Sequence, residues 1–121
     1  MIVLWVSLAG AVGAAARFTV DGMVRQRWTA RFPLATLLIN ASGSLILGVL
    51  TGLVLYHGVM SNLKLIAGTG FCGGYTTFST ASFESVRLLQ RRAYASAAMN
   101  IVGTAVITMS AAAVGLGLAQ L

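Results

Sequence analysis

Long apolar stretches alternate along the chain with short polar, mostly basic ones, and the spacing predicts four membrane-spanning helices. Crossing the hydrocarbon of a bilayer takes about 20 predominantly apolar helical residues. Such stretches run from about Ile2 to Val20, Leu34 to Tyr56, Leu63 to Leu89 and Tyr94 to Leu118. The first has no basic residues ahead of it and no small-residue cleavage site, so it reads as a span and not as a signal peptide. Arg25, Arg27 and Arg31 form a basic loop, and Pro33 then suits the start of the second span, where its missing N–H costs nothing.

Polar residues inside the spans recur at helical spacing. Thr36, Asn40, Ser44, Gly48 and Gly52 fall at successive i+4 positions, and Ser96, Asn100, Thr104 and Thr108 repeat the pattern in the fourth span. A small and polar face lets helix backbones approach closely. Asn40 is the costly member, since an unpaired amide in hydrocarbon is penalised by ~4–8 kcal/mol on apolar transfer scales. It must bond to another helix or to a transported solute.

The third span departs furthest from the pattern. Between Gly68 and Ser85 it reads G-T-G-F-C-G-G-Y-T-T-F-S-T-A-S-F-E-S. Gly68, Gly70, Gly73 and Gly74 are poor helix residues, and hydroxyls crowd a segment that should be apolar. A break is expected near residues 73–76. At membrane depth an opened backbone must face protein or line a watery cavity. Two readings stay open here: a solute or ion site, or a glycine-kinked span whose Ser and Thr side chains bond back to its own carbonyls.

Composition agrees with a polytopic membrane protein: 121 residues, 58% hydrophobic and 8% charged, with a mean hydropathy of +0.90. The net charge of +6 sits on residues flanking the spans, which points to lipid headgroups and insertion orientation and away from nucleic acid. A single cysteine, Cys72, excludes an intrachain disulfide and reads as a packing residue. With His57 the sole histidine, a histidine-based metal or proton-relay site has no support. Arg17 and Asp21, at i,i+4, could pair; Arg17 either snorkels to the interface or attracts anions at a pore mouth. Glu84 is expected to pair with Arg87. No nucleophile lies beside a histidine, and paired carboxylates and metal-ligand clusters are missing, so the chain does not read as an enzyme. Neutral donors with almost no carboxylates suit an anion better than a cation. Four short spans enclose little volume, which favours an oligomer.

Three motifs carry a resemblance: G-A-V-G-A-A-A-R (Gly10 to Arg17), N-A-S-G (Asn40 to Gly43) and G-F-C-G-G-Y-T-T-F-S-T (Gly70 to Thr80). They resemble the small bacterial fluoride channels, the Fluc or CrcB family, over nearly the whole chain. The resemblance implies an all-α membrane protein of the bacterial plasma (inner) membrane. It implies four helices, the third broken, and a dimer of two subunits inserted in opposite directions. It further implies two fluoride pores along the dimer interface, passive export of cytoplasmic fluoride, and a structural sodium ion on backbone carbonyls of the broken helix, by register Gly73 and Thr76. Carried over residue by residue, Asn40 matches an amide that donates toward fluoride, Phe78 the first ring of an aromatic box, and Ser79 and Thr80 a track of hydroxyls. Asn100 and Thr104 take the pore-lining positions of the fourth helix. Arg17 and Glu84 match charges near a vestibule and a pore end.

Two features depart from that family. The second box phenylalanine is replaced by Ala81, and Phe83, five residues from Phe78, points to another helix face. The loops after spans one and three hold Arg25, Arg27, Arg31, Arg87, Arg91 and Arg92, against Lys64, His57 and the chain start on the other side. That bias predicts those loops in the cytoplasm and both termini outside, where a subunit inserting both ways should show almost none. Together they suggest a heterodimer with an oppositely biased, paralogous subunit as an alternative to a homodimer. Two rival functions remain: a small multidrug-type proton-coupled exporter, which needs an embedded carboxylate, and a non-conducting assembly subunit.

Overall fold

The computed structural model describes residues 1–27, 33–58 and 60–121, and these are helical apart from short turns, with no strand among them. Arg31 of the first basic loop lies outside the described residues. Helix α1 (Ile2–Arg27) continues past Val20, where the apolar pattern stops. The extension is held by the i,i+4 pair of Asp21 with Arg25, and Arg25 and Arg27 in the last turn complement the helix dipole. Helix α2 (Leu34–His57) follows Pro33 and stops at Gly58, whose φ of 65° is left-handed and whose N–H closes onto Leu53 O. Helix α6 (Tyr94–Leu118) is the last long element. Among the described residues three helices, α1, α2 and α6, are long and apolar enough to cross a membrane.

The limb between α2 and α6 is assembled from shorter pieces. It comprises α3 (Ser61–Lys64), a π-helical stretch (Leu65–Cys72), α4 (Gly73–Tyr75) and, after two extended residues, α5 (Phe78–Gln90). Thr76 has φ −80° and ψ 159°, and Thr77 has φ −147° and ψ 122°. The helical path is therefore interrupted at Thr76–Thr77, just after the four glycines and not among them. Gly68, Gly70, Gly73 and Gly74 all lie in helical conformation, a correction to their reading as helix breakers. Close packing is the reason two of them are there. A Cβ on Gly74 would run into Gly10 O, and one on Gly70 would press on Val6 O and the Ala9 methyl. On the facing helix a Cβ at Gly13 would collide with Phe71 O.

Contacts between elements fix the direction of each. Along α2, Leu47 meets Gly68, Gly43 meets Thr76, Asn40 meets Thr77 and Thr36 meets Glu84, so the limb runs antiparallel to α2. Val6 against Gly70, Gly13 against Tyr75, and Arg25 against Glu84 place α1 parallel to the limb. Helix α6 runs parallel to α2, seated on its small face: Gly48 meets Ala112, and Gly52 meets Leu116 and Ala119. The chain thus passes up, down, up and down. Much of the outer surface of α1 and α6 is apolar, as at Phe18, Val102, Val106 and Met109, as a surface facing lipid would be.

Candidate functional site

The interruption at Thr76–Thr77 should leave backbone groups without partners, and the chain supplies one from a distance. Asn40 on α2 reads both sides of Thr77: its Nδ2 donates to Thr77 O at 2.9 Å, and its Oδ1 accepts from Thr77 N–H at 2.8 Å. The amide copies the ladder contact of a neighbouring strand and holds the extended residue in place. Thr77 then caps α5, accepting the Thr80 N–H on its Oγ1 at 3.1 Å. Thr76 bonds back to Cys72 O through its own N–H at 2.9 Å and its Oγ1 at 2.8 Å.

These bonds free two of the carbonyls that the interruption leaves without a helical donor. In an unbroken helix Gly73 O would accept from Thr77 N–H and Thr76 O from Thr80 N–H. Both donors are turned elsewhere, to Asn40 Oδ1 and to Thr77 Oγ1. A hard cation such as sodium takes oxygen ligands, so the two oxygens left without their helical donors fit that group. Gly73 is exposed, with no atom within 4 Å of where a Cβ would sit.

An open groove of about 480 Å³ runs beside the interruption, and Asn40, Ser44, Gly73, Thr76, Thr77 and Phe78 are among its walls, with Ala81 and Thr104. Two further hollows continue along α5. One, of about 210 Å³, lies between Thr77, Thr80, Thr36 and Arg17; the other, of about 390 Å³, holds Thr80, Glu84 and Arg25. Thr77 is shared by the groove and the smaller hollow, and Thr80 by both hollows. Asn40, Phe78, Thr104, Gly73 and Thr76 therefore come together around one groove, and Arg17, Thr80 and Glu84 line what adjoins it. Ser79 is exposed in the first turn of α5, and Phe78 is 87% exposed. Asn100 stands apart, 2% exposed. It bridges α6 to α5, donating to Ser85 Oγ at 2.7 Å.

Both carboxylates have partners other than those expected. Asp21 accepts from Arg25 Nε with both oxygens at 2.9 Å, and not from Arg17. The reason is the extension of α1, which brings Arg25 one turn beyond Asp21. Glu84 accepts from Thr36 Oγ1 and lies 3.6 Å from Arg25 Nη2, in place of an i,i+3 contact with Arg87. Arg87 instead sits over the Phe83 ring at 5.9 Å. The residue missed in the sequence is Thr77. Its signal was legible: a β-branched hydroxyl residue ahead of F-S-T-A-S-F-E has the form of an N-cap.

The family described as CrcB-like protein, Camphor Resistance (CrcB), matches residues 4–116. The chain belongs to this family. Among its relatives, "Fluoride-specific ion channel FluC 1" of Leifsonia xyli is 49% identical over 121 residues, covering 100% of this chain and 88% of the relative. "Fluoride-specific ion channel FluC 2" of Cutibacterium acnes is 47% identical over 98% of this chain and 97% of the relative. "Fluoride-specific ion channel FluC" of Thermococcus onnurineus is 41% identical over 98% and 96%. These CrcB-like relatives are named as ion channels and not as enzymes.

Proposed function

We propose that this CrcB-like chain is a subunit of a fluoride-selective channel through which cytoplasmic fluoride leaves passively across the bacterial plasma (inner) membrane. The observation that carries the reading is the Asn40–Thr77 clamp, which keeps a helix open beside a groove walled by uncharged donors. Fluoride is small and strongly hydrated, so a dry passage must replace its water with donors met in sequence. The second Asn40 N–H, the hydroxyls of Ser79, Thr80 and Thr104, and the electropositive ring edge of Phe78 can do this without a fixed charge that would trap the ion. Asn100 acts from behind, steadying α5.

In this reading the Ser61–Gln90 limb is the third of four membrane passes. A second subunit, another copy or a paralogue, inserts in the opposite direction and covers the exposed Phe78 and Gly73, giving two pores along the interface. Sodium would be held by the Gly73 and Thr76 carbonyls, and when bound it supplies positive charge in a low-dielectric interior. Arg17 and Glu84 set the charge where the path opens. Passive exit suffices because neutral HF enters by diffusion and dissociates in the cytoplasm, leaving the anion trapped. A proton-coupled exporter needs a carboxylate free to bind its cargo, whereas Asp21 and Glu84 are both engaged with Arg25. The test is fluoride efflux from liposomes holding the purified chain: flux that is fluoride-selective and independent of a proton gradient supports the channel, and proton-coupled cation efflux overturns it.

A further inference from the structure

At the end of α1 and α5 the larger of the two hollows, about 390 Å³, gathers three guanidinium groups, those of Arg25, Arg87 and Arg91. The chain has two acidic side chains, Asp21 and Glu84, and among the described residues both are spent on Arg25. Arg87, in the last turn of α5, and Arg91, its C-cap, are left without a carboxylate. The rest of the wall is Thr80, the Glu84 carboxylate, which faces Arg25, and the apolar Pro33, Phe83 and Leu88, and the Arg87 guanidinium lies 5.9 Å from the centre of the Phe83 ring. Basic residues at helix ends ordinarily do no more than set orientation. Here they converge on one cavity that is far larger than a halide and half greasy.

We infer that this hollow binds the headgroup phosphate of an anionic phospholipid, with Arg87 and Arg91 on the phosphate and Phe83 and Leu88 against the first part of the acyl chains. Three features favour a lipid as the occupant. The unmatched charge sits on the side of the chain that carries most of its basic residues, where anionic headgroups concentrate. The apolar wall suits an amphiphile better than a free ion. Pro33, just ahead of α2, and Arg25 of α1 close the hollow, so a bound lipid would tie the limb's outer half to both helices. This goes beyond the transport reading and does not depend on it; Thr80 and Glu84 of the same hollow stand in that reading at the mouth of the fluoride path, which a bound headgroup would border.

The test uses the purified full-length chain in detergent, stripped of lipid, with phosphatidylglycerol or phosphatidylcholine added and retention read by native mass spectrometry. Phosphatidylglycerol is expected to stay bound and phosphatidylcholine to be lost. At about fivefold per arginine near the membrane surface, the R87Q/R91Q pair should weaken phosphatidylglycerol binding about 25-fold. R87K/R91K should retain most of it, and K64Q, at the other end of the limb, should change nothing. Should the double variant not purify as a single species, R91Q alone carries the test with about a fivefold loss. Equal retention of the two lipids, or native binding by the glutamine variants, would overturn the proposal. So would displacement of phosphatidylglycerol by millimolar inorganic phosphate, which would make the site one for a free ion.

Discussion

Replacing Asn40 by Asp changes one atom of the clamp and tests both of its duties. The variant keeps an acceptor for Thr77 N–H, at 2.8 Å in the native chain, but loses the donor that sits 2.9 Å from Thr77 O. A carbonyl left without its donor costs about 1–3 kcal/mol when buried, and the part-buried Thr77 O falls toward the lower end. Asn40→Leu removes both bonds and should cost about twice that, ~2–6 kcal/mol. Transport should suffer more than stability. A carboxylate about 4 Å from a passing anion, at an effective dielectric constant of about 20, raises its energy by ~4 kcal/mol, or roughly three orders of magnitude in rate. Fluoride efflux from Asn40→Asp liposomes should therefore fall to the level of empty vesicles at neutral pH, while thermal unfolding in detergent still shows one cooperative transition. Acidification that protonates the carboxyl removes the charge and returns an O–H donor toward Thr77 O, so efflux above the protein-free control should partly recover. Native flux from Asn40→Asp at neutral pH would refute the reasoning, since the clamp would then have no place in the ion's path.

Other perturbations reach the remaining parts of the account. Gly74→Ala drives a methyl into Gly10 O and should destabilise by about 1–3 kcal/mol in detergent unfolding, whereas Gly117→Ala, with nothing within 4 Å, should not. Arg25→Gln leaves the Glu84 carboxylate unneutralised where the path opens, and should slow fluoride efflux about fivefold, the effect of roughly 1 kcal/mol from one partly solvated charge. R25Q/E84Q, measured in the same assay, should restore most of the rate. Substituting a larger, poorly coordinating organic cation for sodium in the reconstitution buffer should lower the thermal stability of the chain if the Gly73 and Thr76 carbonyls hold the ion.

The sequence was most readable where periodicity alone decides structure. The α6 boundaries match the apolar stretch Tyr94–Leu118, and the i+4 face of α2 packs where its small residues allow, Gly48 and Gly52 against α6. Helix α1 outran its apolar pattern because a local ion pair, Asp21 with Arg25, supports helix without needing hydrophobic residues. The glycines of the limb misled because their two uses look alike in a string of letters: Gly70 and Gly74 serve close approach to α1, and the interruption falls on two threonines beyond them. Long-range partners were the least legible. Asn40 announced a need for hydrogen bonds, but nothing local pointed to Thr77, 37 residues away, and nothing near Glu84 pointed to Thr36 and Arg25. Those contacts depend on how α1, α2, the limb and α6 align, which single-chain periodicity does not encode.

Ala81 offers the most direct measurement of the central claim, because it lines the same groove as Phe78, and in the proposed channel a second ring there would complete the anion's path. Fluoride and chloride efflux should be recorded side by side from liposomes carrying the native chain and Ala81→Phe. The account predicts fluoride-selective efflux from both, faster in Ala81→Phe because each groove then gains the ring that a paralogous partner would otherwise provide. No fluoride efflux above empty liposomes from either protein, or chloride leaving as fast as fluoride, would contradict it.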